Sequence, residues 1–320
     1  MRIVQKFGGS SLADFERLRR AAGLVLEAWR RGCRPLVVVS AAGDSTDEMI
    51  EQVQKLTPHP SPREMDALLA TGEQRSAALM AILLNALGAP SRSFSGWQAG
   101  LITEEKHSDA HIARCEPARL LRSLDAGEIP VVAGFQGVTP LGEISTLGRG
   151  GSDMTAVALA GALEADRCEI YTDVDGIYTA DPRLVPGARL LPVINRRDML
   201  RLAEAGSQVL HAESVRLAEA FDREIYLLSS FAASPGSAVV RLPDSVRPAF
   251  SGVTRDAQAH TVTLVGRDAP HRALALLDQV LLPAGLAVRE IGFTENSAQF
   301  FVAPGRELDS LLRLHQAVLD

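Results

Sequence analysis

The residues that could do chemistry lie in glycine-rich turns. Lys6-Phe7-Gly8-Gly9-Ser10-Ser11 closes an apolar run with a glycine pair and leads directly into a helical pattern. Backbone N–H groups of such a turn, with a helix N-terminus behind them, favour an anion, and Lys6 adds a full positive charge at the strand end. The chain has no GxxxxGK[ST], so this is not a Walker loop. A second cluster, Gly148-Arg149-Gly150-Gly151-Ser152-Asp153, precedes an apolar helical stretch at 155–163. Ser152 is expected to cap that helix, and Arg149 supplies a planar fork suited to a carboxylate or a phosphate. The cluster misses GxGxxG by one spacing, so no dehydrogenase follows from it. The third stretch, YTDVDGIYTADPR at 171–183, is polar, rich in turns and leaves a buried strand, the place where open α/β sheets bind ligands. Its D-x-D-G spacing is superficially that of a calcium loop, but no twelfth-position glutamate follows, which rejects that reading. Taken singly, each glycine turn also serves purely structural ends, because glycine is the residue of tight turns.

Such turns need a sheet and helices to hold them. Residues 1–240 alternate short β-branched runs with longer 3.6-period segments, the pattern of a mainly parallel sheet covered by helices. Strands are expected at 3–7, 36–40, 131–135, 169–172 and 225–229, each nearly all apolar, as when both sheet faces are covered. Leu12, Phe15, Leu18, Ala22, Val25, Leu26 and Trp29 mark one helix face, with Ser11 as N-cap and Gly32 as stop, and a second long helix is expected within 63–87. Residues 139–146, with Pro140 and Gly142, read as a hairpin. Ser, Pro and Gly cluster at 231–248, the expected domain boundary. Beyond it the pattern is strand 250–254, strand 261–266, helix 271–282, two strands within 287–302, then helix 307–319: a small α+β unit.

Composition narrows the function classes. A chain of 320 residues with 46% hydrophobic content is neither disordered nor fibrous. With 33 Lys+Arg against 39 Asp+Glu the net charge is −6 and no long basic block occurs, so no nucleic-acid partner is expected. Cys33, Cys115 and Cys168 are widely spaced and fit neither a disulfide framework nor a zinc cage. There is no apolar signal region and no run of about 18 apolar residues, so a cytoplasmic protein without membrane partner is expected. No metal site is assigned: His107 and His111, spaced to share a helix face, lack a third ligand.

The three turns in this order, KFGGSS, TLGRGGSD and YTDVDGIYTADPR, together resemble an aspartate kinase of the amino-acid kinase superfamily. Between them lie the further matches Ser40-Ala41-Ala42-Gly43-Asp44-Ser45-Thr46, Thr71-Gly72-Glu73 and Val132-Ala133-Gly134-Phe135-Gln136-Gly137, and the likeness runs from Lys6 to about Ser230. It implies an α/β amino-acid kinase fold, an open mainly parallel sheet between helix layers, over 1–230. It also implies transfer of the ATP γ-phosphoryl group, with Mg²⁺, to the β-carboxylate of L-aspartate, giving 4-phospho-L-aspartate. Phosphoryl transfer asks a protein mainly to position and to neutralise charge, which suits lysine, arginine and helix N-termini.

The resemblance also implies roles. Lys6 would stabilise the transferring phosphate and Asp153 would organise Lys6. Arg149 would hold a substrate carboxylate and Glu73 the α-ammonium, with Ser40, Thr46, Phe135, Gln136, Gly150, Gly151 and Ser152 around the substrate. Phe7, Gly8, Gly9, Ser10, Thr172, Asp173, Tyr178, Asp181, Pro182, Arg183 and Gln208 would bind nucleotide with Lys6. Two positions depart from the family: Gln208 stands where a lysine is usual, and Leu228 where an arginine is common, with Arg196 or Arg197 as compensating candidates. After a linker at 231–248, residues 249–320 resemble a single ACT-like domain in permuted order, where the family usually has two. Loss of lysine or threonine feedback and a homodimer through this domain are the expectations. The product would feed lysine, threonine and methionine supply or a specialised route. The alternatives are a sibling amino-acid kinase and a non-catalytic aspartate- or nucleotide-binding subunit.

Overall fold

The computed structural model describes residues 1–319, and the chain divides into two compact units: Met1–Val174 with Leu217–Ser234, and Asp175–Arg216 with Pro235–Asp320. One boundary, between Ser234 and Pro235, lies within the break expected at 231–248, and in addition 175–216 groups with the C-terminal residues. Burial is the reason: Ala180 and Val185 share one apolar core with Val262, Leu264, Phe300 and Leu314.

In the first unit the strands are β1 (Arg2–Phe7), β2 (Arg34–Val39), β3 (Ser91–Phe94), β4 (Leu101–Thr103), β5 (Ile112–Cys115), β6 (Ile129–Ala133), β7 (Gln136–Val138), β8 (Ile144–Thr146) and β9 (Arg167–Thr172). The main sheet runs β3-β6-β2-β1-β9 and continues to β11 (Ile225–Ser229), with parallel pairing throughout. Each expected core strand is present: β11 keeps the expected ends, β1 and β9 begin earlier, and β2 and β6 are shifted towards the N-terminus. The run at 131–135 becomes β6, ending at Ala133, because Phe135 turns the chain at φ 69°. A smaller sheet runs β5-β4-β7-β8 and contains the expected hairpin, β7 against β8.

Helix α1 (Phe15–Arg30) and helix α3 (Pro62–Ala86) cover one face of the main sheet, with α2 (Ser45–Leu56) between them in sequence. Leu18, Ala22, Val25, Met80 and Leu84 meet Phe7, Val37, Val39 and Val131 in one core. The helix α4 (Ala118–Asp125) precedes β6, and α5 (Gly151–Ala162) packs on β1 and β9. Because successive strand side chains point to opposite faces, Phe7 enters the α1/α3 core while Lys6 faces α5.

Two expected caps are corrected. Asp14 caps α1, accepting from the Arg17 N–H, while Ser11 lies in a 3₁₀ turn, Gly9–Leu12, with its hydroxyl 2.7 Å from that of Ser230. The turn buries Leu12 before α1 begins and leaves Phe15 exposed, off the apolar face. Ser152 does not cap α5. Gly150 does, in the left-handed conformation at φ 73°, which glycine adopts without a Cβ penalty.

In the second unit β10 (Val193–Asn195) pairs in parallel with β12 (Ser237–Val240), and α6 (Arg196–Glu204) follows β10. Helix α7 (Ala212–Ala220) leads on to β11. Strands β13 (Gly252–Asp256), β14 (Thr261–Val265), β15 (Val288–Thr294) and β16 (Ser297–Val302) form an antiparallel sheet, order β13-β14-β16-β15. Helix α8 (Ala269–Leu276), continued by a π turn at Leu277–Leu281, and helix α9 (Glu307–Leu319) supply Ala273, Leu311 and Leu314 to its core.

Candidate active site

The glycine turn after β1 is built by close backbone approach. The Gly8 N–H donates to the Tyr171 carbonyl (3.2 Å), and the Gly43 N–H donates to the Gly9 carbonyl (3.0 Å). A Cβ on Gly9 would stand 2.8 Å from the Ala41 carbonyl oxygen, so only glycine fits. Phe7 stacks on Tyr171 beneath the turn, and Ser10 is half-buried on it. Beside it the Lys6 Nζ lies 2.6 Å from Asp153 Oδ1, in the first turn of α5, both side chains largely buried. A partly desolvated lysine at a helix N-terminus, oriented by one carboxylate, is a cation placed for an anion.

Glu73 stands on the buried face of α3 and is 4% exposed. Its Oε1 accepts from the Ala41 N–H (3.0 Å), whereas Oε2 is buried without a hydrogen-bond partner. Burial pushes the carboxyl up to about 7, against the Ala41 hydrogen bond and the Lys6 charge, which both favour the ionised form. Gln136 is fully buried: its Nε2 donates to the Ala70 carbonyl (2.9 Å) and its Oε1 accepts from Gln74 (3.2 Å). The Phe135 N–H donates to Thr155 Oγ1 (3.1 Å), tying the end of β6 to α5. A Cβ on Gly151 would stand 2.8 Å from the Phe135 ring, so the two turns interlock. Arg149 is exposed on the turn before α5 and Ser152 is buried within it. Ser40, whose N–H donates to the Phe7 carbonyl (3.1 Å), and Thr46 are half-buried at the end of β2 and the start of α2.

The first unit therefore gathers Lys6, Gly8, Gly9, Glu73, Gln136 and Asp153 on elements joined by the contacts above. Thr172 and Asp173 also lie in it, Thr172 Oγ1 donating to the Asp173 carboxylate (3.0 Å). Tyr178, Asp181, Pro182, Arg183 and Gln208 belong to the second unit. There the Arg183 guanidinium takes the Asp181 carboxylate in a fork (2.8–3.2 Å) and holds its carboxyl below the usual carboxylate range. Gln208 is exposed in the loop after α6. The candidate compensators are committed elsewhere in this unit: Arg197 pairs with Glu295 (3.1 Å) and Arg196 is buried.

His107 and His111 do not share a helix: one lies in the loop after β4, the other just before β5. Their Nδ1 atoms approach Asp66 (3.0 Å) and Glu104 (2.9 Å). Among the described residues no group of three or more His, Cys, Asp or Glu converges as a metal site, and no helix is long and apolar enough to cross a membrane. Burial pushes the Cys115 thiol up to about 12 and raises Cys168 as well, so neither is a ready thiolate. Asp66 escapes the sequence reading. The available signal was an acid on the apolar stripe of α3 shared with Leu69, Ala70, Glu73, Ala77 and Met80.

The amino acid kinase family model matches residues 1–229. The chain is 47% identical over 271 residues to an aspartokinase of Mycolicibacterium smegmatis, covering 82% of this chain and 64% of that one. It is 43% identical over 286 residues to an aspartokinase of Thermus thermophilus, covering 89% and 71%. The chain thus spans roughly two thirds of these relatives' lengths. Among solved structures, an aspartate kinase from Synechocystis superposes with a TM-score of 0.70 at 38% identity, covering 97% of this chain and 54% of that one. E. coli aspartokinase III, in complex with aspartate and ADP, superposes with a TM-score of 0.85 at 22% identity over the full length of both chains, a likeness of fold.

Proposed function

This chain belongs to the amino acid kinase family, and we propose that within it the chain is an aspartate kinase, transferring the γ-phosphoryl group of ATP to the β-carboxylate of L-aspartate. The products are 4-phospho-L-aspartate and ADP. The observation that carries this reading is the buried Glu73 oxygen without a partner, beside a glycine turn that presents Lys6. A buried carboxylate needs a cationic partner, and the α-ammonium of an amino acid is one. Arg149, exposed on its turn, suits the α-carboxylate, and Lys6 suits the charge that develops on the phosphoryl oxygens. Asp153 keeps the ammonium of Lys6 from wandering. In-line transfer needs no protein nucleophile, so the substrate's own carboxylate oxygen attacks phosphorus while these groups hold position. Mg²⁺ would neutralise the nucleotide phosphates, with Asp153 ordering the metal–phosphate region.

The remaining assignments belong to the same reading: nucleotide contacts from Gly8 to Ser10, Thr172, Asp173, Tyr178, Asp181 to Arg183 and Gln208, a kinase domain over 1–230, a linker at 231–248, and an ACT-like module over 249–320. A homodimer through that module and a cytoplasmic setting complete it.

ADP release from purified protein with ATP and Mg²⁺ is expected to require L-aspartate, and hydroxylamine added to the mixture is expected to trap the acyl phosphate as aspartyl hydroxamate. Succinate, which leaves Glu73 unpaired, is expected to give at most about a hundredth of the kcat/KM. Aspartate binding without ADP release would favour a non-catalytic subunit, the reading suggested by the absent charge at Gln208.

A further inference from the structure

Asp66 is fully buried in α3 and accepts hydrogen bonds from two segments of chain. Its Oδ1 accepts from Thr146 Oγ1 (2.6 Å) and its Oδ2 from the Thr146 N–H (3.1 Å). The Ser108 N–H donates to both oxygens (3.1 and 3.0 Å), and His107 Nδ1 lies 3.0 Å from Oδ2. Ser108 sits at φ 69°, a left-handed conformation that a residue with a Cβ keeps only when its surroundings impose it. The loop so held is tied in turn to the catalytic turn's root: the Ala110 N–H donates to the Thr146 carbonyl (2.9 Å), and the side chain of Asp109 lies against Gly148. Two residues after Thr146 begins the Gly148-Arg149-Gly150-Gly151-Ser152 turn.

Asp66 and Glu73 are seven residues apart on one helix, so they share a face about 10 Å apart along the axis. We propose that Asp66 is a positioning residue that fixes the Gly148–Ser152 turn, and with it Arg149, at a set distance from Glu73. Helix α3 thereby gauges the length of the amino-acid substrate: one carboxylate on it grips the ammonium, the other anchors the turn that grips the α-carboxylate. This deepens the aspartate kinase reading and rests on it. Asp66 touches no substrate itself, so its influence is on substrate fit rather than on nucleotide capture.

Two variants test the proposal. Asp66→Asn turns one acceptor into a donor that faces the N–H groups of Thr146 and Ser108. Thr146→Val removes the shortest bond and leaves shape and backbone intact. The expected result for Asp66→Asn is a KM for L-aspartate raised about tenfold, the scale of a lost hydrogen bond to a charged group, with the KM for ATP within about twofold. Thr146→Val shifts the same way by less, and both narrow the preference for L-aspartate over L-glutamate. Hydrogen exchange is expected to quicken at 107–110 and 146–150 and to stay unchanged in β1 and α1. Equal shifts of both KM values, or unchanged exchange at 107–110 and 146–150, would overturn the positioning role. If Asp66→Asn does not fold, Thr146→Val decides by the same readouts. If the wild type shows no aspartate-dependent turnover, the kinase reading fails, and the exchange measurement still decides whether Asp66 holds the turn.

Discussion

Burial pushes the Glu73 carboxyl up to about 7, while its proposed partner, an α-ammonium, needs that carboxyl ionised. The two demands give opposite pH dependences. A carboxyl whose folded-state value lies above its unfolded value favours folding at low pH, and that contribution is lost as pH rises through about 7. The displacement corresponds to roughly 3 kcal/mol of stability between the limits. Substrate capture runs the other way. In the free enzyme kcat/KM for L-aspartate is expected to fall about tenfold per pH unit below 7 and to level off above it. Glu73→Gln is expected to remove that limb from the residual activity and to flatten the decline in urea midpoint between pH 5 and 8. A pH profile unchanged in the variant would show that another group titrates.

The glycine turn shows what an element asks of a sequence. Gly9 lies where the backbone after β1 crosses that after β2, and a Cβ there would meet the Ala41 carbonyl at 2.8 Å. That carbonyl and the Gly43 carbonyl, 3.2 Å from the same Cβ, are backbone and not the ends of flexible side chains, so Gly9→Ala must displace the turn, with a penalty of about 1–3 kcal/mol. The expected outcome is a lowered melting temperature with far-UV dichroism retained and a KM for ATP raised by at least severalfold. Much of this was legible. The central strands read as apolar runs because both faces of the sheet are covered, and alternation in β1 sends Lys6 and Phe7 to opposite faces. The caps were not legible, because a serine before a helix serves equally as a cap or as a tertiary contact, and Ser11 turned to Ser230. Asp66 was missed because a lone acid in a helix reads as solvated, and only the fold brings Thr146 and Ser108 to it.

At the scale of the whole molecule, the least legible feature was where the chain divides. Ala180 and Val185 are apolar residues in a polar, turn-rich stretch, and the core that buries them comes from strands and helices much later in sequence. The stretch is fastened there by polar contacts too. The Val253 N–H donates to the Thr179 carbonyl (2.7 Å), the Arg189 N–H donates to Thr179 Oγ1 (2.9 Å), and buried His315 of α9 places its Nε2 2.9 Å from the same hydroxyl. Removing the imidazole is expected to loosen the proposed nucleotide loop. His315→Ala should raise the KM for ATP about fivefold, the scale of one buried hydrogen bond, with little change for L-aspartate, and His315→Gln should recover part of it. Initial rates over both substrates measure this, and parallel changes in the two KM values would refute it. The contact between α9 and Thr179 also bears on engineering by domain exchange. Swapping 249–320 for the equivalent piece of a relative would replace the footing on which the loop around Thr179 rests, so a chimera joined within 231–248 is expected, on the proposed nucleotide assignment, to show altered nucleotide affinity.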